Sequence, residues 1–356
     1  MHGKLICLEY SASMEPLFER SASYPGKVII LDGVSGTGKT MIHRLLDSYI
    51  VNHPPMFSYT IEQICIAYHY NKISTDAAVT LLKLHIDQLK YNLSIGREIN
   101  LRKNDLSSIL KSTKKFTYLK KLLSEDGEGA ISNITNDKKN VIILTHQLLE
   151  STKLFEQAVS RDFINFHSVR HPIYLFNHWS TYVSLLGTSV RDLTLWKNQD
   201  NQIIPWFFTD SAINKNYSSL HIGDKTLVCL IELTRKMISH HQNCQNKTNY
   251  LVIEFEKFVL NPTNVVDRMD KLIESGVKKS MQRILNEEKI PRKHINSGKS
   301  LPIYLRYGAG SYESNLNHGD DYLNKLKKIE AQTSSIYFNE FKKTILEYEQ
   351  NFKLWF

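Results

Sequence analysis

Eight residues near the start of the chain have the types and the spacing to hold a phosphorylated ligand. Gly33 to Thr40 reads GVSGTGKT, which satisfies the pattern G-x-x-x-x-G-K-[ST]. Glycines let the backbone curl so that successive N–H groups converge on an anion, and a following helix adds the partial positive charge of its N-terminus. The pattern therefore predicts a phosphate-binding loop in which the Lys39 ammonium reaches the group that is transferred.

The loop leaves the reaction open, because kinases, other NTPases and sulfotransferases all cradle phosphates in this way. A Mg-dependent NTPase normally has a second buried strand that ends in aspartate and holds the metal. The later apolar runs of this chain end instead at Thr145, at Arg170 and at Glu254. This pattern argues against hydrolysis of ATP, although Glu254 or Glu256 could substitute for the missing aspartate.

Four apolar runs predict the strands of a buried parallel sheet, and the first of them runs directly into the glycine loop and a helix. These runs are Val28 to Leu31, Val141 to Leu144, Phe163 to Val169 and Tyr250 to Phe255. The order of strand, loop and helix is that of a mononucleotide-binding unit. We predict an α/β, P-loop-type three-layer fold with a central parallel sheet flanked by helices, formed by residues 1–356 as a single domain.

Two long segments between the predicted strands are expected to be largely helical insertions, at about residues 51–139 and 184–248. Apolar residues have helical spacing in Ala78 to Leu93 and in Leu227 to His240, and Asp320 to Phe352 predicts one long C-terminal helix. In such an architecture, the insertions would build the pocket for a second substrate.

The bulk composition favours anionic ligands such as nucleotides or acidic glycans. Lys and Arg number 45 against 36 Asp and Glu, which gives a formal net charge of +9. The basic residues stand in short runs without interleaved aromatics, which argues against a nucleic-acid partner. The four cysteines have no CxxC spacing, so we expect reduced thiols and no metal site. Because no apolar run predicts a signal peptide or a membrane span, we expect a cytoplasmic protein.

The order of the later motifs resembles the nucleotide-dependent sulfotransferase family, over most of the chain outside the two insertions. Val141 to His146 looks like the family's strand that ends in Lys-Thr-His, and Phe163 to Pro172 is similar to its strand that leads into Arg-x-Pro. Tyr250 to Phe258, followed by Asn261-Pro262, looks like a strand that marks the fold. Arg306 to Tyr312 resembles the family's C-terminal Arg-x-Gly-x-x-Gly loop.

The resemblance implies a sulfate donor, 3′-phosphoadenosine 5′-phosphosulfate, and a hydroxyl-bearing acceptor as the two partners, with no metal. It implies that His146 is the catalytic base and that Lys39 stabilises charge on the bridging oxygen of the donor. The residues that it implies for donor binding are Gly36, Thr37, Gly38, Lys39, Thr40, Arg170, His178, Arg306 and Gly308.

Several positions depart from the family pattern. The family's loop usually reads Lys-Ser-Gly-Thr-Thr, whereas here Gly36 stands at the lysine position and Lys39 at the first threonine. Leu144 replaces the lysine of Lys-Thr-His, and His178 stands where a serine normally follows the arginine. These differences leave the identity of the donor open.

Two other functions are therefore compatible with the sequence. One is a small-molecule or nucleotide kinase that uses ATP and Mg at the same loop, with Arg283 and Arg292 as a lid. The other is a nucleotide-binding protein without catalysis. For a sulfotransferase, the acceptor could be a glycan, a lipid, a phenol or a peptide tyrosine.

Overall fold

The centre of the molecule is a parallel sheet of five strands. The computed structural model describes residues 18–20, 24–105, 107–123, 134, 136–148, 151–159, 163–188, 193–199, 201–208, 217–275, 279–295 and 317–353. The sheet strands, in chain order, are β1 (Val28–Asp32), β2 (Met56–Phe57), β3 (Val141–Leu144), β4 (Phe163–Val169) and β5 (Tyr250–Glu254). They lie side by side in the order β2-β3-β1-β4-β5, and every neighbouring pair is parallel.

Helices cover both faces of the sheet. Successive side chains of β1 point to opposite faces, so Ile29 and Leu31 join one apolar core while Val28 and Ile30 join the other. The helices of the described chain are α1 (Lys39–Asp47), α2 (Tyr59–His69), α3 (Thr75–Ile95), α4 (Lys115–Lys121), α5 (Thr152–Val159), α6 (Pro172–Leu185), α7 (Ile222–Cys244), α8 (Phe255–Leu260), α9 (Thr263–Ile273), α10 (Lys279–Glu287), α11 (His318–Glu330) and α12 (Ser335–Phe352).

The two cores divide the helices between the faces. Helices α1, α6, α7 and α12 pack on the first face, and α2, α3 and α5 pack on the second. Each fully buried aliphatic side chain of these cores contributes roughly 1.5 to 3 kcal/mol relative to exposure in water. The predicted three-layer α/β architecture with a parallel sheet is confirmed.

The structure differs from the predicted elements at several places. The edge strand β2 was not predicted, since two residues are too few for an alternating pattern to show. The last strand was predicted to run to Phe255, but β5 ends at Glu254 and Phe255 begins a helix. The apolar run continues across this boundary, so the sequence does not mark the end of the strand. The single C-terminal helix is in fact α11 and α12, separated by a turn at residues 331–334.

Residues 184–248 carry a two-stranded antiparallel hairpin, Trp196–Gln199 paired with Gln202–Pro205, ahead of helix α7.

In the part of the chain that the structure describes, none of the helices combines the length and the apolar character that crossing a bilayer requires.

Candidate functional site

The predicted site residues that the structure describes lie at the carboxyl ends of the sheet strands. Strand β1 lies between β3 and β4, and all three run in the same direction, so their carboxyl ends meet. Loops leaving these ends deliver the glycine loop from β1, His146 from β3 and Arg170 from β4. Parallel pairing therefore brings together groups that are more than a hundred residues apart in the chain.

The glycine loop wraps around its own lysine. Helix α1 begins at Lys39, and its N-cap Gly38 has a left-handed backbone with φ of 92°. The Lys39 ammonium donates hydrogen bonds to the carbonyl oxygens of Gly33 at 2.5 Å and Val34 at 3.0 Å. Burial lowers the pKa of Lys39 to about 8, an effect that the carboxylates of Asp32 and Glu62 partly offset. An anion on the loop would compete with these carbonyls for the ammonium.

The loop threonines differ in their surroundings. Thr40 lines the adjoining cavity together with Gly36 and Gly38. The Thr37 side chain is buried, and its hydroxyl donates to the Val34 carbonyl oxygen at 2.9 Å. Thr37 thus shapes the loop with its side chain and could meet a ligand only through its backbone.

Gly33 permits the close approach of the loop to strand β4. Its φ is 149°, and a methyl group added there would lie 2.2 Å from the Ser168 carbonyl oxygen. We expect Gly33→Ala to lower the free energy of unfolding by roughly 2 to 4 kcal/mol, because backbone cannot yield as a flexible side chain would. Urea denaturation would measure the loss. In Gly319→Ala the nearest atom to the new methyl group is 3.6 Å away, so that control should lose no stability, and equal losses in the two variants would contradict the expectation.

His146 faces the same cavity from the end of β3. Its Nδ1 lies 3.2 Å from Oε1 of Glu62, and that oxygen also accepts the backbone N–H of His146 at 2.5 Å. The ring meets Phe57 edge-on with centroids 4.9 Å apart. Although 40% of the side chain is exposed, desolvation and then the charge of Lys39 lower the pKa of His146. A neutral imidazole at pH 7 is able to accept a proton.

Arg170 and Arg292 form a second cationic group beside the loop. Their guanidinium carbons lie 4.2 Å and 5.6 Å from the centroid of the Phe255 ring. Arg170 donates to the Gly36 carbonyl oxygen at 3.0 Å, and Nε of Arg292 is buried with no hydrogen-bond partner among the described residues. Burial and the nearby Arg170 lower the pKa of Arg292 to about 10. Two cations whose charges act on each other would bind an anion favourably.

His178 supports the loop from helix α6. Its Nε2 lies 2.9 Å from the hydroxyl oxygen of Ser35, and a methyl group at Gly36 would come within 2.8 Å of its ring. Burial, followed by the charges of Arg170 and Lys39, lowers the pKa of His178 to about 4. The ring is therefore neutral at pH 7. Arg306 and Gly308, the other residues predicted to bind the donor, lie outside the described residues.

A cavity of about 990 Å³ joins these groups. The cationic side chains of Lys39, Arg170 and Arg292 line it, and so does His146 with its aromatic neighbour Phe57. The aromatic and apolar side chains that line the cavity from the predicted insertions include Phe57, Tyr59, Ile66, Leu185, Leu186, Leu193, Leu195, Trp206 and Phe207. A volume of this size can hold a nucleotide and part of a second substrate.

Two members of the site were not predicted in their observed places. Glu62 lies on α2, in a segment interpreted only as an insertion, and it meets His146 across 84 residues of chain. Arg292 was considered only for the lid of a kinase, yet it stands beside Arg170. A single carboxylate in a helical pattern, or a single arginine after a proline, gives no sequence pattern that marks it as part of a functional site. Among the described residues, no group of three His, Cys, Asp or Glu side chains is arranged to hold a metal ion.

Comparison with known proteins gave only distant structural likenesses. No family model and no curated protein matches the chain. The sulfotransferase domain from the curacin biosynthetic pathway is 8% identical, with 91% of this chain and 99% of that one covered and a TM-score of 0.43. A sulfotransferase from Mycobacterium avium is 10% identical, with 94% and 78% covered and a TM-score of 0.41. The sulfotransferase domain of the Synechococcus PCC 7002 olefin synthase is 10% identical, with 88% and 96% covered and a TM-score of 0.39.

Proposed function

We propose that this chain is a sulfotransferase that moves a sulfuryl group from 3′-phosphoadenosine 5′-phosphosulfate to an acceptor hydroxyl. The observation that carries the proposal is the shared cavity, in which a neutral imidazole faces the glycine loop and a neighbouring pair of arginines. A donor with phosphate groups at both its 5′ and its 3′ positions needs two anion sites, and we propose that the loop and the arginine pair supply them.

The donor would bind with its two anionic ends on different residues. The 5′-phosphosulfate would lie on residues 36–40, where backbone N–H groups, the start of α1 and the Lys39 ammonium stabilise negative charge. The 3′-phosphate would lie against Arg170 and Arg292, and Arg306 is proposed as a third cation on the resemblance of its loop. A phosphate there would relieve the repulsion between the two guanidinium groups and could accept from the buried Nε of Arg292.

The reaction would be an in-line displacement at sulfur. A bond forms between the acceptor oxygen and sulfur as the bond from sulfur to the bridging phosphate oxygen breaks, and adenosine 3′,5′-bisphosphate leaves. His146 takes the proton of the acceptor hydroxyl at Nε2, and Lys39 stabilises the charge that develops on the bridging oxygen. A sulfuryl group carries less negative charge than a phosphoryl group, so this step needs no metal.

Asp32 favours a second candidate function, phosphoryl transfer from ATP with Mg. This buried carboxylate belongs to the last residue of β1, and its Oδ1 accepts a hydrogen bond from the Thr145 hydroxyl at 2.8 Å. Its Oδ2 is buried without a hydrogen-bond partner among the described residues. A carboxylate oxygen beside a phosphate loop is a ligand that Mg accepts. Binding without turnover would leave the third possibility, a non-catalytic nucleotide-binding protein.

Calorimetric titration distinguishes the two donors. We expect adenosine 3′,5′-bisphosphate to bind at micromolar concentration without Mg, and Arg170→Ala and Arg292→Ala each to weaken this binding by roughly 10- to 100-fold through loss of charged hydrogen bonds. Arg268→Ala, an exposed arginine on α9, serves as the control and should bind as the wild type does. Binding of ATP only when Mg is present, with no binding of the bisphosphate, would reject the sulfotransferase in favour of the kinase.

A further inference from the structure

One carboxylate oxygen contacts the ring and the backbone of His146 at the same time. Oε1 of Glu62 accepts the His146 backbone N–H at 2.5 Å and lies 3.2 Å from the ring Nδ1. An oxygen that accepts from the backbone presents lone pairs to Nδ1 as well, so the ring completes the contact by donating a hydrogen from Nδ1. A neutral imidazole with hydrogen on Nδ1 carries its free lone pair on Nε2.

The helix that carries Glu62 is fixed independently of this contact. Ser58 caps the start of α2 by accepting the Ile61 backbone N–H at 3.3 Å. Ile61 and Cys65 are fully buried in the second core, on either side of Glu62 in sequence. Because packing sets the position of α2, the Glu62 side chain reaches His146 from a rigid support rather than from a loop.

The surroundings keep the contact short of a full ion pair. Burial and the nearby Asp32 raise the pKa of Glu62 to about 8, while the His146 backbone N–H and the Lys39 charge act in the opposite direction. A protonated carboxyl group still offers its carbonyl oxygen to the Nδ1 hydrogen. With its proton on Oε2, a neutral Glu62 still accepts the His146 backbone N–H and the Nδ1 hydrogen at Oε1, which favours the same tautomer.

We propose that Glu62 is a positioning residue that holds His146 with its hydrogen on Nδ1 and turns Nε2 toward the acceptor hydroxyl. The inference rests on the proposed function, in which Nε2 removes the hydroxyl proton. Glu62 itself exchanges no proton with substrate: it acts through the orientation and tautomer of the ring, as carboxylates do behind histidine bases.

Nitrogen NMR of protein labelled with 15N at histidine tests the tautomer without any turnover. The His146 signals are identified by their loss in His146→Gln. We expect the wild type to carry its hydrogen on Nδ1 at pH 7.5, Glu62→Ala to move it wholly or partly to Nε2, and Glu62→Gln to retain it on Nδ1 through the amide oxygen. A wild type with hydrogen on Nε2, or a Glu62→Ala spectrum identical to that of the wild type, overturns the proposal.

Kinetics with labelled donor test the consequence for the reaction. We expect Glu62→Ala to lower kcat by roughly 10- to 100-fold with little change in KM for the donor, and Glu62→Gln to recover most of the loss. Glu156→Ala, which removes a carboxylate on α5 that pairs with Lys247 at 2.6 Å, should leave kcat unchanged. Equal losses in Glu62→Ala and Glu62→Gln, or a change in KM alone, would contradict a positioning role.

The NMR experiment tests this inference independently of the proposed function, on which the kinetic experiment depends. If the wild type transfers no sulfuryl group, the proposed function fails, and the NMR result still decides whether Glu62 sets the tautomer. Far-UV circular dichroism confirms that each variant is folded, and Glu62→Gln supplies a variant of equal size if Glu62→Ala does not fold.

Discussion

His146→Ala should lower kcat for sulfuryl transfer by about 100- to 10,000-fold while leaving the affinity for adenosine 3′,5′-bisphosphate close to that of the wild type. The variant removes the imidazole at the end of β3, which lines the cavity and meets Phe57 edge-on. The arginines and the loop, which are proposed to hold the donor, make no hydrogen bond to the His146 side chain in the described structure. Single-turnover transfer of labelled sulfate and calorimetry measure the two quantities.

Comparison with a control variant shows whether His146 acts as the catalytic base. His241→Ala provides a matched control, since His241 packs against Tyr250 and Phe352 and does not line the cavity. It should retain wild-type turnover. If His146→Ala transfers sulfate as fast as the wild type, the imidazole is not the base, and a loss of bisphosphate binding in the same variant would show that the ring holds the donor instead.

Lys39→Met should lower kcat/KM for the donor by about 100- to 1000-fold, because an ammonium aimed at the developing charge stabilises the transition state more than the ground state. Methionine keeps the apolar stem that the loop encloses and removes the charge. Lys343→Met, a similar change at an exposed residue of α12, should have no effect. Steady-state kinetics with varied donor concentration would measure the difference, and a Lys39→Met enzyme with unchanged kcat/KM would reject the role.

The pH dependence of bisphosphate binding provides a second test of the role of Lys39. Because burial lowers the pKa of Lys39 to about 8, the free protein loses this positive charge as the pH rises past 8. Glu62, whose pKa burial raises to about 8, gains negative charge over the same range. Both changes weaken the binding of an anion, so the affinity should fall between pH 7 and pH 9, and it should fall less steeply in Lys39→Met.

Local patterns in the sequence predicted the glycine loop and four of the five sheet strands. A glycine loop has short-range requirements: a strand before it, glycines where the backbone takes a left-handed conformation, and a helix after it. Buried parallel strands likewise appear in the sequence as continuous apolar runs. The sequence places His146 and Arg170 just after predicted strands, but the sheet order, in which those strands flank β1, decided that both lie beside the loop.

Only the tertiary structure decided which side chains complete the site. Glu62 meets His146 because α2 packs on the second core, and Arg292 joins Arg170 because both lie over Phe255. The hydrogen bonds from the Lys39 ammonium to the carbonyl oxygens of its own loop likewise form only when the loop is folded. Contacts of this kind join residues far apart in the chain, and their energies depend on burial and distance, neither of which is encoded in any short stretch of sequence.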